Sequence, residues 1–234
     1  MKRTPNVRRW LEVHAEELSA CRRCGHSGVI PIVSRPTAPR AMLVGQAPGQ
    51  TEVVDQRPFA GRAGRTLFRW LARAGLDEAR AREVIFIAAI TRCYPGPSPS
   101  GRGDRVASRR ERTLCADWLD RELTVLQPPL LIPVGRLAIE RFLGPVPLEQ
   151  VVGRAIPVEH PGGRSIAIAL PHPSGASSWI HQDGHGRLVD DALLLLRQEF
   201  VGMGLVAGTV GTVGTVGTVG TEPASPAGRP GTAA

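Results

Sequence analysis

Apolar residues fall along this chain in short bursts, and their spacing sorts the bursts into two kinds. Residues 41–45 (AMLVG), 84–90 (VIFIAAI), 130–135 (LLIPVG) and 165–170 (SIAIAL) are continuous apolar runs of strand length. Such runs mark strands buried on both faces of a parallel sheet. Between them, apolar positions recur at helical spacing. Trp10, Leu11, Val13, His14 and Leu18 share one face of a helix over 8–20, and Leu67, Trp70, Leu71 and Leu76 do so over 62–76. Further helices are predicted over roughly 108–126, 136–143 and 186–200. Strands alternating with helices predict an α/β fold: a single domain over 1–205 with a central parallel four-stranded sheet flanked by helices.

The pattern stops at residue 206. There the chain turns to GTV triplets with no aromatic or charged anchor, then to EPASPAGRPGTAA. Glycine at every third position without proline in the repeat is not a collagen sequence. Residues 206–234 are read as a flexible low-complexity tail with no part in the chemistry.

Charge and cysteines change the picture further. The chain has 29 Lys and Arg against 21 Asp and Glu, net +8, and nearly all the cations are arginine. An arginine-rich surface suits a phosphate polyanion, although a GC-rich genome produces the same bias. The N-terminus (MKRTPNVRRW) is charged, without the apolar run of a signal peptide, and no stretch approaches a membrane span. A cytoplasmic location is expected. There, four cysteines point to a metal site before a disulfide framework.

Two loops leave the C-terminal ends of predicted strands, where open α/β sheets bind their ligands. The first is GQAPGQTEVVDQRPFAGRAG over 45–64, in which Gly45, Pro48 and Gly49 make a tight turn. The second is PHPSGASSW over 171–179, where His172 stands between two prolines and is held stiffly.

GQAPG followed by Glu52 and then RPFAGRAG resembles the first motif of the family 4 uracil-DNA glycosylases, and HPSGAS resembles the second motif of that superfamily. Cys21-x-x-Cys24, Cys93 and Cys115 fall where this family holds a [4Fe–4S] cluster, and the likeness runs over roughly 8–200. It implies a monomer that flips a deaminated base, most often uracil, out of DNA and hydrolyses its N-glycosidic bond. By the same likeness, His172 donates to the base oxygen, Phe59 stacks on the base, and Gln46 lines the pocket beside the attacking water. Ala47 and Ala89 line the base pocket, while Pro48, Gly49, Ser174, Gly175 and Ser177 meet the DNA backbone. On residue chemistry alone, structural zinc suits four thiolates as well as a cluster does.

The chain departs from the family pattern at three places. Gln46 replaces a glutamate and Ala47 follows it, so no carboxylate stands there to act as a base. Ala89 replaces an asparagine whose amide reads the uracil edge, so either another residue takes over that reading, or the specificity is relaxed or directed at another base such as hypoxanthine or xanthine. Gly175-Ala176 replaces a bulkier wedge. The segment after Cys93 also looks longer than the family's, and its RGDRVASRRER stretch is either a phosphate contact or a solvated insertion. Two further readings follow: a DNA-binding protein of this fold without turnover, and a serine hydrolase, which lacks its Gly-x-Ser-x-Gly elbow.

Overall fold

The computed structural model describes residues 6–25, 30–101, 103–174 and 179–207. Most of the 206–234 tail, with Gly175 and Ser177, lies outside the described residues.

Five strands form one sheet in the order β2-β1-β3-β5-β4: β1 (Ala41–Gly45), β2 (Ile85–Ala89), β3 (Leu130–Pro133), β4 (Ala155–His160) and β5 (Gly163–Ile168). β2, β1, β3 and β5 run parallel, as the apolar runs predict, and β4 pairs antiparallel with β5. The sheet therefore has one strand more than the four expected. β4 (AIPVEH) is mostly exposed, carries Pro157, and lies at the edge, so no apolar run announces it.

Alternation along β1 divides the core between the two faces. Leu43 points to the side covered by α3 (Arg62–Arg73) and α8 (His185–Gly202), where Leu67, Leu71, Leu193 and Phe200 close the layer. Met42 and Val44 point to the other side, against Leu119 and Leu123 of α5 (Arg109–Leu126) and Ala138 of α6 (Arg136–Leu143). A helix at the N-terminus, α1 (Val7–Ser19), packs on α5. Three short helices go unannounced by periodicity: α2 (Gln50–Asp55), α4 (Glu78–Val84) and α7 (Leu148–Val151). α4 leads straight into β2, so Val84 ends a helix where the apolar run suggests a strand.

Local signals fix the ends that matter. Ser108 caps α5 in a reciprocal box, its hydroxyl accepting from the Glu111 N–H while the Glu111 carboxylate accepts from the Ser108 N–H. Among the described residues no helix is long and apolar enough to cross a membrane.

Candidate active-site cleft and thiol pocket

A cleft of about 390 Å³ opens at the C-terminal ends of β1 and β2 and is closed by the segment that follows β5. The sequence-predicted residues Gln46, Ala47, Pro48, Gly49, Phe59, Ala89, His172 and Ser174 all line it. The two glycine-rich loops therefore converge, although more than a hundred residues separate them.

Glu52 makes the first loop a closed unit. Its buried carboxylate accepts from the Gly49 N–H at 2.9 Å and from the Gly61 N–H at 3.0 Å, tying the loop's two ends together. Sequence reasoning notices this glutamate as part of a motif and misses its work; its place three residues after Gly49, a capping-box spacing, is the available signal. Beyond it, Phe59 adopts φ 51°, a left-handed conformation costly for a bulky side chain, by about 1–3 kcal/mol. Arg82 supports that strain by donating to the carbonyls of Pro58 (2.9 Å) and Phe59 (3.3 Å). Gly64 permits it, since a Cβ there would stand 1.8 Å from the Phe59 carbonyl oxygen. The result is a ring laid against Gly45, its nearest atom 2.9 Å from where a Cβ would sit.

The opposite flank is built over Gly135, at φ 83° between β3 and α6. A Cβ there would meet Gln46 Cδ and His172 Cδ2, both at 3.1 Å, so these two side chains come together above a residue that must be glycine. Gln46 Oε1 accepts from the Leu137 N–H at 3.2 Å in the first turn of α6, which leaves its amide nitrogen as a donor. His172 Nδ1 accepts the Ser174 N–H at 3.3 Å and lies 2.9 Å from the Ser174 hydroxyl. An Nδ1 that accepts a backbone N–H carries no proton, so the neutral ring holds its proton on Nε2. Burial pushes the His172 pKa below the ordinary histidine value and keeps the ring neutral. Ser174, expected at a DNA phosphate, is thus also the residue that orients His172.

A second acid reaches the cleft from the long segment after Cys93. Asp104 lines it, with Oδ2 3.1 Å from the Cβ position of Gly49, and its negative charge helps raise the pKa of the Tyr94 hydroxyl, after burial. The absent carboxylate at Ala47 is therefore not an absence of acid from the cleft. In the same segment Arg105 pairs with Glu111, holding that carboxyl well below its usual range. Part of the basic stretch is therefore internally neutralised.

On the far side of β2, Cys21, Cys24, Cys93 and Cys115 line one small pocket. Burial first, and then the other three thiols, push Cys93 up to about 12; burial also raises Cys24 and Cys115. The positive charge and the backbone N–H of Arg92 oppose the rise at Cys115. Among the described residues, no three His, Cys, Asp or Glu side chains gather closely enough to hold one metal ion.

Between thiol pocket and cleft runs a charged network that sequence reasoning misses entirely. Arg92 lines both cavities and bonds through Nη2 to Glu122, whose other oxygen lies 2.7 Å from His14 Nε2. Their exposures are 2%, 0% and 1%. His14 stacks on Trp10 and meets Trp118 edge-on, so the network docks α1 onto α5. Removing one partner of such a buried set costs about 3–5 kcal/mol. Its only sequence signal is a histidine placed on an apolar helix face.

With this geometry in view, comparison with known proteins is informative. The family model "Uracil DNA glycosylase superfamily" matches residues 32–189. A type-4 uracil-DNA glycosylase of Archaeoglobus fulgidus is 31% identical over 173 residues, covering 70% of this chain and 81% of that protein. Type-4 enzymes of Sulfurisphaera tokodaii (30% identity, 54% of each chain) and Thermotoga maritima (27%, 58% of this chain and 65% of the relative) are also similar.

Proposed function

The chain belongs to the uracil-DNA glycosylase superfamily, and from that premise we propose that it excises uracil from DNA, leaving an abasic site. The observation that carries this reading is the meeting of Phe59, Gln46 and His172 in one cleft, on loops from separate strand ends. A flipped base stacks on Phe59, a contact worth about 1–3 kcal/mol in nucleic-acid binders. As the N-glycosidic bond lengthens, electrons collect on the base, and the Nε2–H of neutral His172 donates to its carbonyl oxygen. A preorganised donor of that kind is worth about 10²–10³ in rate. The Gln46 amide nitrogen, fixed by the Leu137 contact, orients water. Pro48, Gly49 and Ser174, with Gly175 and Ser177, take the flanking phosphates. Ala89 leaves the base edge unread at its own position, so hypoxanthine and xanthine belong in the test beside uracil.

The four cysteines fit the [4Fe–4S] cluster that the family resemblance implies: they share one pocket and feel one another's charge. Four thiolates spread around a larger group are the ligand set of such a cluster. Once bound, it supplies a fourfold anchor for the end of α1, the segment after β2 and the first turns of α5. The protein works as a monomer on cytoplasmic DNA.

The test is strand scission at abasic sites, with oligonucleotides carrying uracil, hypoxanthine or xanthine treated with protein and then alkali. Uracil-dependent breaks are expected, slowed by about 10²–10³ in His172→Ala. DNA binding with no breaks on any base would instead identify a binder that has lost turnover.

A further inference from the structure

We propose that Arg92 and Trp118 donate hydrogen bonds to the sulfur atoms of the cluster and thereby set its reduction potential; this rests on the iron–sulfur reading above. Arg92 Nε and Nη1 and Trp118 Nε1 are enclosed, and none has a partner among the described residues. Both side chains line the thiol pocket. A buried donor left unpaired costs about 1–3 kcal/mol, and more when it is charged. Three around one pocket are unusual in a native core.

Neither side chain is there through loose packing. Arg92 is 2% exposed and Trp118 5%. Glu122 holds one end of the Arg92 guanidinium, and His14 holds Glu122. Trp118 stands three residues after Cys115 on α5, hence on the same face. The described protein groups leave these donors without acceptors; cluster and thiolate sulfurs are the acceptors this pocket would hold. Hydrogen bonds to sulfur and a neighbouring positive charge stabilise the more negative, reduced cluster, so they raise its potential. These are positioning residues.

The test uses the holoprotein, purified without oxygen and assayed for iron, acid-labile sulfide and midpoint potential. Trp118→Phe keeps the ring and loses only the N–H. Arg92→Lys keeps a cation for Glu122 and loses the other donors. Leu114→Ala disturbs the pocket wall without removing a donor. Expected is a negative shift in both donor variants, on the order of tenfold in the oxidised-to-reduced ratio, or 59 mV for one electron, with no negative shift in Leu114→Ala. Wild-type potential in both donor variants, or the same shift in Leu114→Ala, overturns the inference. Wild-type protein that holds zinc and no sulfide overturns the cluster reading beneath it.

Discussion

The cleft and the thiol pocket lie on either side of Arg92, and they are built by opposite means. The cleft is made of backbone: glycines at 45, 64 and 135 admit close approaches, and one carboxylate, Glu52, closes a loop through two amide N–H groups. The thiol pocket is backed by buried charge: Arg92, which lines it, is held by Glu122 and His14, sealed between α1, α5 and the end of β2. A backbone site loses geometry when it is perturbed. A charged site loses its fold.

Four experiments press on that contrast. Glu122→Leu strands the Arg92 cation and should cost about 3–5 kcal/mol in chemical denaturation, the largest loss expected anywhere outside the apolar core. Unchanged stability would mean that the network is a passive filler. Gly64→Ala drives a methyl into the Phe59 carbonyl, and a displacement near 1 Å in a reacting geometry costs about 10²-fold in turnover. Single-turnover rates on uracil-containing DNA check it, and a fold-wide collapse in its place would erase the distinction drawn here.

The third is a pH profile. The His172 pKa lies below its ordinary value of 6.5 because the ring is buried. Its neutral form therefore persists as pH falls, and the acid limb of kcat/KM should lie below 6.5. The linked stability has the same sign. It is full above the unfolded-state pKa and is lost as pH drops through the folded one. Smallest is Ser108→Ala, which removes the hydroxyl half of the α5 cap and should cost about 1 kcal/mol by thermal denaturation, leaving cleft chemistry unchanged.

The same contrast explains what could be read from the sequence. Four of the five strands announce themselves as apolar runs, and the cleft residues sit in glycine- and proline-rich loops whose composition advertises tight backbone. β4 escapes because an edge strand with one solvated face and a proline has no apolar run to show. The charged network escapes for a deeper reason. Arg92 lies next to Cys93, Glu122 follows an arginine on α5, and His14, on the apolar face of its helix, reads as ordinary packing. Nothing in their spacing says that three titratable side chains from distant segments will be sealed together. Asp104 escapes likewise, since a Gly-rich, basic insertion reads as a solvated loop until its fold over Gly49 is seen.

One contact has a consequence for how this chain changes over time. Because Glu52 fastens both ends of the first loop, the stretch from 53 to 57 between them carries little of the site's geometry, and Val54 at its crest is 78% exposed. Exchanging such exposed side chains usually changes stability by no more than about 0.5 kcal/mol. The crest is therefore a cassette: it faces outward, and its side chains can be exchanged while Glu52 keeps the ring of Phe59 in its place.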